Sequence, residues 1–204
     1  MSSNTQSTLF TIGHSTHTYE KFLSLLLHAG ITAIADVRSS PFSKHFSHFN
    51  GDTLKRELRK DGIEYSFLGE ELGGRPTSPD FFCEGVADYE KMAKADKFKR
   101  GLSRVIEGAR TYQVALMCSE HNPLDCHRCL LVGRALKENG LDVRHILSDG
   151  RIRSHRHIED NLLALLGNTT GDLFMPAQDR LSAAYRDRAS KVAYALPVHR
   201  KATY

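Results

Sequence analysis

Two hydrophobic periods alternate along this chain. Short apolar runs of strand-like composition are separated by segments in which apolar residues recur at the three- and four-residue spacing of a helix. The runs predict strands at 9–13, 31–37, 63–68, 112–117 and 143–147. The intervening segments predict helices at 19–28, 52–60, 89–109, 130–139 and 158–166, with a long glycine- and proline-containing loop at 69–88.

Strands that alternate with helices from end to end are typical of an α/β protein. We therefore expect a mainly parallel β-sheet with helices on both faces, formed by one domain over residues 8–167. Residues 168–204 are interpreted as a basic, partly helical C-terminal extension. In such a sheet the carboxyl ends of the strands share one edge, where binding sites usually lie.

Composition narrows the class of protein. The chain has 204 residues, 40% of them hydrophobic, which suits one ordinary globular domain. Its first residues are polar and do not resemble a secretory signal, and no apolar run approaches the roughly 18 residues that span a bilayer. The sequence thus predicts a cytoplasmic protein without a membrane partner, in which the four cysteines are free thiols.

The charge is unevenly distributed. Residues 1–150 contain 19 basic and 19 acidic residues, whereas residues 151–204 contain nine basic and five acidic ones, so the net charge of +4 lies in the last quarter. A basic tail can contact nucleic acid, although an excess of this size is also common on an ordinary solvated surface.

The segment 117–128 carries the densest candidate chemistry. It follows a buried strand and leads into a helix, and it contains Cys118, Glu120, Cys126, His127 and Arg128. Amide groups of a first helical turn attract anions and lower the pKa of a thiol. An arginine there can bind a phosphate or carboxylate in bidentate geometry.

Several roles remain open for this segment. Cys118 or Cys126 can act as a nucleophile while Glu120 or His127 moves protons. Alternatively, both cysteines and a histidine can ligate zinc, or the two thiols can form a redox pair. The spacing matches none of the standard motifs, and buried structural thiols with an Arg128–Glu120 pair remain the alternative. Asp125 is predicted to cap the helix, which would place Cys126 in its first turn.

Two further strand ends carry polar residues. His14 follows the first strand and can serve as a general acid or base, or simply as a loop hydrogen-bonding group. Asp36 and Arg38 end the second strand on the same side of it, so Arg38 can bind an anion while Asp36 holds it in place. A purely structural ion pair between the two is the alternative.

The loop after the third strand contains Gly73, Gly74 and Arg75. Paired glycines allow a backbone to approach a ligand closely, and Arg75 adds a third cation. The loop is neither a P-loop nor a dinucleotide-binding motif, because the glycines and lysine of those motifs are missing. Convergence of these segments at one sheet edge predicts an arginine-lined anion site built from Arg38, Arg75, Arg128, Cys118, Glu120 and His14.

Taken together, these motifs resemble the DUF488 family, a domain of unknown function. The resemblance spans about residues 8–167. It rests on Thr11-Ile-Gly-His-Ser-Thr, Ala35-Asp-Val-Arg-Ser-Ser-Pro, the glycines from Gly69 to Gly74, Leu116-Met-Cys-Ser-Glu, Cys126-His-Arg and His145-Ile. It implies a compact α/β protein and no particular activity. Its motif positions include His14, Asp36, Arg38, Gly73, Gly74, Cys118, Glu120, Cys126, His127 and Arg128.

The sequence therefore predicts an enzyme that acts on a phosphorylated or nucleotide-like substrate. The predicted catalytic residues are Cys118, Glu120, Cys126 and His14, and the predicted substrate-binding residues are Asp36, Arg38, Gly73, Gly74, Arg75, His127 and Arg128. A non-catalytic nucleic-acid-binding protein and a structural zinc protein are the alternatives. The sequence assigns no metal ligand, identifies no cofactor and gives no oligomeric state.

Overall fold

The computed structural model describes residues 8–165, 167 and 176–197. Its strands are β1 (Thr8–Gly13), β2 (Ala33–Asp36), β3 (Glu64–Phe67), β4 (Phe82–Cys83), β5 (Val86–Ala87), β6 (Val114–Cys118), β7 (Asp142–Ile146) and β8 (Ile152–Ser154). Its helices are α1 (Tyr19–His28), α2 (Gly51–Lys60), α3 (Gly69–Leu72), α4 (Tyr89–Lys94), α5 (Asp96–Gly108), α6 (Arg134–Glu138), α7 (His155–Leu165) and α8 (Ala177–Val192). A π-helical segment, Arg128–Gly133, leads directly into α6.

Six strands form one sheet in the order β3-β2-β6-β1-β7-β8. The first five are parallel to one another, and only β8 runs antiparallel, along the edge of β7. The prediction of a mainly parallel α/β sheet is therefore confirmed. The strands β6, β1 and β2 lie side by side at its centre, so the polar segments that follow them emerge at one edge.

Alternating side chains of the central strands pack into two hydrophobic cores, one on each face of the sheet. In β6, Ala115 and Met117 belong to the core that α1 and α2 cover. Leu116 and Cys118 belong to the opposite core, which α4, α5 and the helix from Arg128 onward cover. Helices therefore cover both faces of the sheet, as predicted. Cys118 lies on the same face as the helix that starts at Arg128.

Two local predictions were wrong, and one strand was missed. The segment 69–88 is not a plain loop, because it contains α3, a 3₁₀ turn at Pro79–Phe81 and the β4–β5 hairpin. The predicted long helix 89–109 is two helices, which break at Ala95, where the backbone is extended. The edge strand β8 was not predicted, since a strand of three residues offers too few positions for a periodic pattern.

The predicted helical part of the C-terminal extension is present as α8. Its residues Ala184 and Tyr185 are buried in the same core as α4 and α7, so this helix packs on the α/β domain. The residues on either side of it, 168–175 and 198–204, lie outside the described part of the chain. Among the described residues, no helix is both long enough and apolar enough to cross a bilayer.

Candidate functional site

The carboxyl ends of β2 and β6, the loop after α3 and the end of α8 surround one cavity of about 230 Å³. Six residues that the sequence predicts as site residues line it: Arg38, Gly74, Arg75, Cys118, Glu120 and His127. Of the six residues whose convergence the sequence predicts, Arg38, Arg75, Cys118 and Glu120 line this one cavity, and Arg128 and His14 do not.

Four of the described side chains form a compact cluster at the floor of the cavity. The Oε2 atom of Glu120 lies 2.9 Å from the Sγ atoms of both Cys118 and Cys126. Nδ1 of His127 lies 3.8 Å from the Cys118 sulfur and 3.9 Å from the Cys126 sulfur. Both thiols and the imidazole are buried, whereas Glu120 is accessible to solvent, so its carboxylate joins the cluster to the cavity.

The orientation of His127 is fixed from two sides. Its Nε2 atom lies 2.8 Å from the carbonyl oxygen of Val37, which can only accept a hydrogen bond, so Nε2 carries the proton. Gly74 packs against the ring, and a Cβ atom at that position would lie 2.7 Å from the His127 Cγ atom. The paired glycines therefore leave room for this imidazole, and Nδ1 is turned toward the two sulfurs.

The helix that follows the cysteine cluster begins one residue later than a cap at Asp125 would place it. Cys126 is still extended, with φ −138° and ψ 138°, and its carbonyl accepts hydrogen bonds from the amides of Cys129 and Leu130. Asp125 therefore does not cap the helix; its carboxylate pairs with Arg188 of α8. The amide of Arg128 lies 3.4 Å from the Cys126 sulfur, so this thiol faces the start of a helix, as expected, but from the preceding position.

Arg128 does not reach the cavity. Its side chain is completely buried and donates to the carbonyl oxygens of Glu120, at 2.6 Å, and His121, at 3.1 Å. Direct binding of a substrate anion by Arg128, as predicted from the sequence, does not fit this position. Nor does Arg128 pair with the Glu120 carboxylate. It fixes the backbone of the loop that carries Glu120 and places a positive charge behind Cys126.

The surroundings shift the pKa values of the four clustered groups. Burial raises the pKa of the Cys118 thiol, and the neighbouring Cys126 raises it further. Burial also opposes ionisation of Cys126, but the hydrogen bond from Cys118 and the charge of Arg128 hold its pKa well below the usual value. Burial and Cys126 raise the pKa of Glu120. Burial disfavours the protonated form of His127, but the neighbouring Cys126 favours it, and the pKa of the imidazole is raised. The thiolate is therefore favoured at Cys126, the thiol farther from solvent.

Asp36 and Arg38 form a buried ion pair at 2.6 Å at the end of β2. Tyr65 donates to the same carboxylate, and Arg38 also donates to the carbonyl of Phe49. Arg38 lines the cavity while Asp36 holds it from behind. His14 lies behind Arg38, with Nε2 3.4 Å from its Nη1 and the ring stacked on Phe49. His14 does not line the cavity, which places it as a neighbour of Arg38.

The neutral His14 makes fold stability depend on pH. Its pKa is lowered from 6.5 to about 4, first by burial and then by Arg38, because a protonated Nε2 would face the guanidinium. Between pH 6.5 and 4 the unfolded chain binds a proton at His14, whereas the folded protein does not. The stability that is present above pH 6.5 therefore falls as the pH drops toward 4, by about 3 kcal/mol for this group. Urea unfolding at a series of pH values measures this slope.

The His14→Gln variant should lose less stability between pH 7 and 4.5 than the native protein does. The exposed His157→Gln variant is the matched control and should keep the native slope. Equal slopes in all three proteins would exclude His14 as a source of the pH dependence. Buried His145 and His155, whose pKa values burial also lowers, leave a residual slope in every case.

The predicted residues Gly73 and Arg75 and several unpredicted residues complete the surroundings of the site. Gly73 lines a neighbouring cavity of about 270 Å³ rather than this one. Arg75 lies over the ring of Tyr194, 5.2 Å from its centroid, and its amide donates to Ser39. The lining residues that the sequence did not predict as site residues are Ser39, Ser40, Phe42, Tyr89, Ser119, Asp125, Val192 and Tyr194. The serines adjoin identified motifs, whereas no local pattern brings Val192 and Tyr194 here.

A family model described as domain of unknown function DUF488 matches residues 18–135. This match covers more than half of the chain, from the start of α1 to the helix after the cysteine cluster. It includes all the predicted site residues except His14. No curated protein and no solved structure matches the chain.

Proposed function

The chain belongs to the DUF488 family, and we propose that it is an enzyme that binds a phosphorylated or nucleotide-like substrate in the cavity at the carboxyl edge of its sheet. The observation that carries this proposal is the joint position of two arginines and a cysteine–carboxylate–histidine cluster in the wall of one cavity. Family membership supports the relevance of these positions and assigns no activity.

Arg38 and Arg75 are the anion-binding groups. The buried ion pair with Asp36 holds the Arg38 guanidinium rigid, and rigid guanidinium groups lose little entropy when they bind an oxyanion. Arg75 is exposed and supplies a second cation to the lining of the same cavity. The hydroxyl groups of Ser39, Ser40 and Ser119 also line the cavity and can donate to phosphate oxygens. Of the two lining carboxylates, Asp125 is neutralised by Arg188.

Glu120 is the group that can act on a bound substrate. It is accessible from the cavity and contacts both thiols, so it can exchange a proton with the substrate or with an attacking water. A nucleophilic thiol fits less well. Cys118 lines the cavity but its pKa is raised, whereas Cys126, whose pKa is lowered, does not line it. The two cysteines therefore serve the site better as supporting groups than as covalent nucleophiles.

Replacing Arg75 by alanine should weaken anion binding. The side chain is exposed and makes no described ion pair, so its removal leaves the fold intact while it removes a cation from the cavity wall. Loss of a charge-assisted contact of roughly 1.5–3 kcal/mol corresponds to a loss of affinity of about tenfold or more. Isothermal titration with pyrophosphate and with nucleoside mono-, di- and triphosphates measures this change.

Arg110→Ala is the matched control, because Arg110 is equally exposed and its only described ion pair is with Glu107, on the surface of α5 and the turn after it. Its affinities should equal those of the native protein. If the native protein binds none of these anions, or if Arg75→Ala binds them as tightly as the native protein, the anion-binding cavity is refuted.

A further inference from the structure

The geometry points to a zinc site at the floor of the cavity, with Cys118, Cys126 and His127 as ligands and Glu120 in the fourth, cavity-facing position. This inference rests on the proposed function, because it assigns the chemistry that the same cavity supplies. The four donor atoms, two sulfurs, one imidazole nitrogen and one carboxylate oxygen, all lie within 4.8 Å of one another. Thiolate and imidazole together select zinc among the common divalent ions.

The donor separations fit a tetrahedral ion. Zinc bonds of about 2.3 Å to sulfur and about 2.0–2.1 Å to nitrogen place these ligand atoms about 3.5–3.8 Å apart. The His127 Nδ1 atom lies 3.8 and 3.9 Å from the two sulfurs. The Glu120 oxygen is closer, 2.9 Å from each sulfur. Because Glu120 is the accessible member, a shift of about half an ångström brings its oxygen to the fourth position.

His127 is already arranged as a ligand. Its Nε2–H group is committed to the Val37 carbonyl at 2.8 Å, so the lone pair of the neutral ring lies on Nδ1 and points between the sulfurs. Ligand histidines characteristically donate their other ring N–H to a carbonyl or carboxylate in this way. Gly74 on the other side keeps the ring from turning.

A bound dication would balance the charges of the ionised ligands. Two thiolates and one carboxylate carry three negative charges, and zinc with the buried Arg128 carries three positive ones. The Nε atom of Arg128 is buried and has no hydrogen-bond partner among the described residues, and the carbonyls that its other nitrogens contact are uncharged. An arginine in this position offsets the excess negative charge of a Cys₂-His-Glu zinc centre.

A second cluster of metal-binding residue types provides a contrast. Cys129, His145 and His155 are equally close to one another. There, however, His145 and His155 are hydrogen-bonded to each other at 2.9 Å, and their remaining nitrogens bond to Thr11 and Tyr185. No imidazole lone pair is left to face the Cys129 sulfur. This cluster is a saturated hydrogen-bond network, so the zinc assignment applies to the cavity cluster.

The position of the ion suits it for catalysis. Cys118, Glu120 and His127 line the same cavity as Arg38 and Arg75, so zinc held here would be open on the Glu120 side to an oxygen of a bound anion or a water. Zinc polarises such an oxygen and lowers the pKa of a bound water. Glu120, which is accessible from the cavity, would supply a base there. The dication also adds to the attraction of the cavity for phosphorylated substrates.

The test is metal analysis of the full chain, purified without chelator or histidine tag. Elemental analysis should find about one zinc ion per chain, and cobalt replacing it should give the thiolate charge-transfer and visible bands of a tetrahedral site. Cys118→Ser and His127→Gln should bind zinc at least a hundredfold more weakly, since even loss of an outer contact costs roughly 10–100-fold. Cys129→Ser and Cys83→Ser are the matched controls and should retain native affinity.

Cysteine labelling keeps the test decisive if a variant fails to fold. In the native sequence held in mild denaturant, where the buried thiols become transiently accessible, zinc should slow the alkylation of Cys118 and Cys126 relative to the metal-free protein and leave exposed Cys83 equally reactive. A folded, reduced protein that takes up no zinc in a chelator competition, or whose labelling zinc does not change, overturns the assignment. That result leaves the proposed function intact if Arg75→Ala still weakens anion binding. Conversely, zinc uptake with no effect of Arg75→Ala refutes the anion-binding cavity alone.

Discussion

Replacing Arg128 by methionine should destabilise the protein by about 2–6 kcal/mol, because two backbone carbonyls each lose a charged donor and each such loss costs roughly 1–3 kcal/mol. The variant leaves the carbonyls of Glu120 and His121 without their donors and removes the positive charge next to Cys126. Since total stability is roughly 5–15 kcal/mol, a large fraction is lost. The free energy of unfolding from urea titration at pH 7 measures the effect.

Two further variants define the cause. Arg128→Lys keeps the charge, but an ammonium group cannot hold both carbonyls in the fixed geometry of a guanidinium, so it should recover less than half of the loss. Arg110→Met, on an exposed surface, should change stability by less than about 0.5 kcal/mol. Native stability in Arg128→Met would show that the Glu120–His121 loop does not depend on this residue.

Replacing Gly13 by alanine should cost about 3 kcal/mol or more, the upper range for overpacking. A Cβ atom there would overlap the carbonyl oxygen of Glu120 and lie 3.2 Å from the Arg128 Nη2 atom. The backbone cannot move aside easily, because Gly13 pairs with Cys118 in the sheet and the next two amides bond to the carbonyls of Cys118 and Ser119. The free energy of unfolding and the reactivity of Cys118 toward an alkylating agent report the change.

Gly108→Ala is the matched control and should have the opposite sign. The nearest atom to a Cβ at this helical position lies 4.0 Å away. Alanine should therefore stabilise α5 by roughly 0.5–1 kcal/mol through its better helix propensity. If Gly13→Ala were as stable as Gly108→Ala, the close approach of β1 to the Glu120 loop would be disproved.

The arrangement of the sheet follows from local pattern. The apolar runs at β1, β2, β6 and β7 and the helical spacing between them predicted an α/β sheet with its strands in parallel, because each element's period is set by its own backbone geometry. The same pattern placed Arg38 and Cys118 at strand ends that share one edge. These two residues line one cavity in the structure.

The contacts within the site were not predictable in the same way. Arg128 was expected in the anion site but lies buried beneath it, and Asp125 was expected to cap a helix but pairs with Arg188. A shift of one residue in a helix start rotates each side chain by about 100°, which is enough to turn a cavity residue into a core residue. Sequence pattern locates helix boundaries no better than that.

The remaining partners come from distant parts of the chain. The Val37 carbonyl fixes the tautomer of His127, Gly74 makes room for its ring, and Tyr194 closes the cavity over Arg75 from the end of α8. The sequence by itself determined the type of sheet and the residue types at its edge, because these depend on local periodicity. Only the tertiary structure decided which of those residues face the cavity and which support them, because that depends on how separate elements rotate and pack against one another.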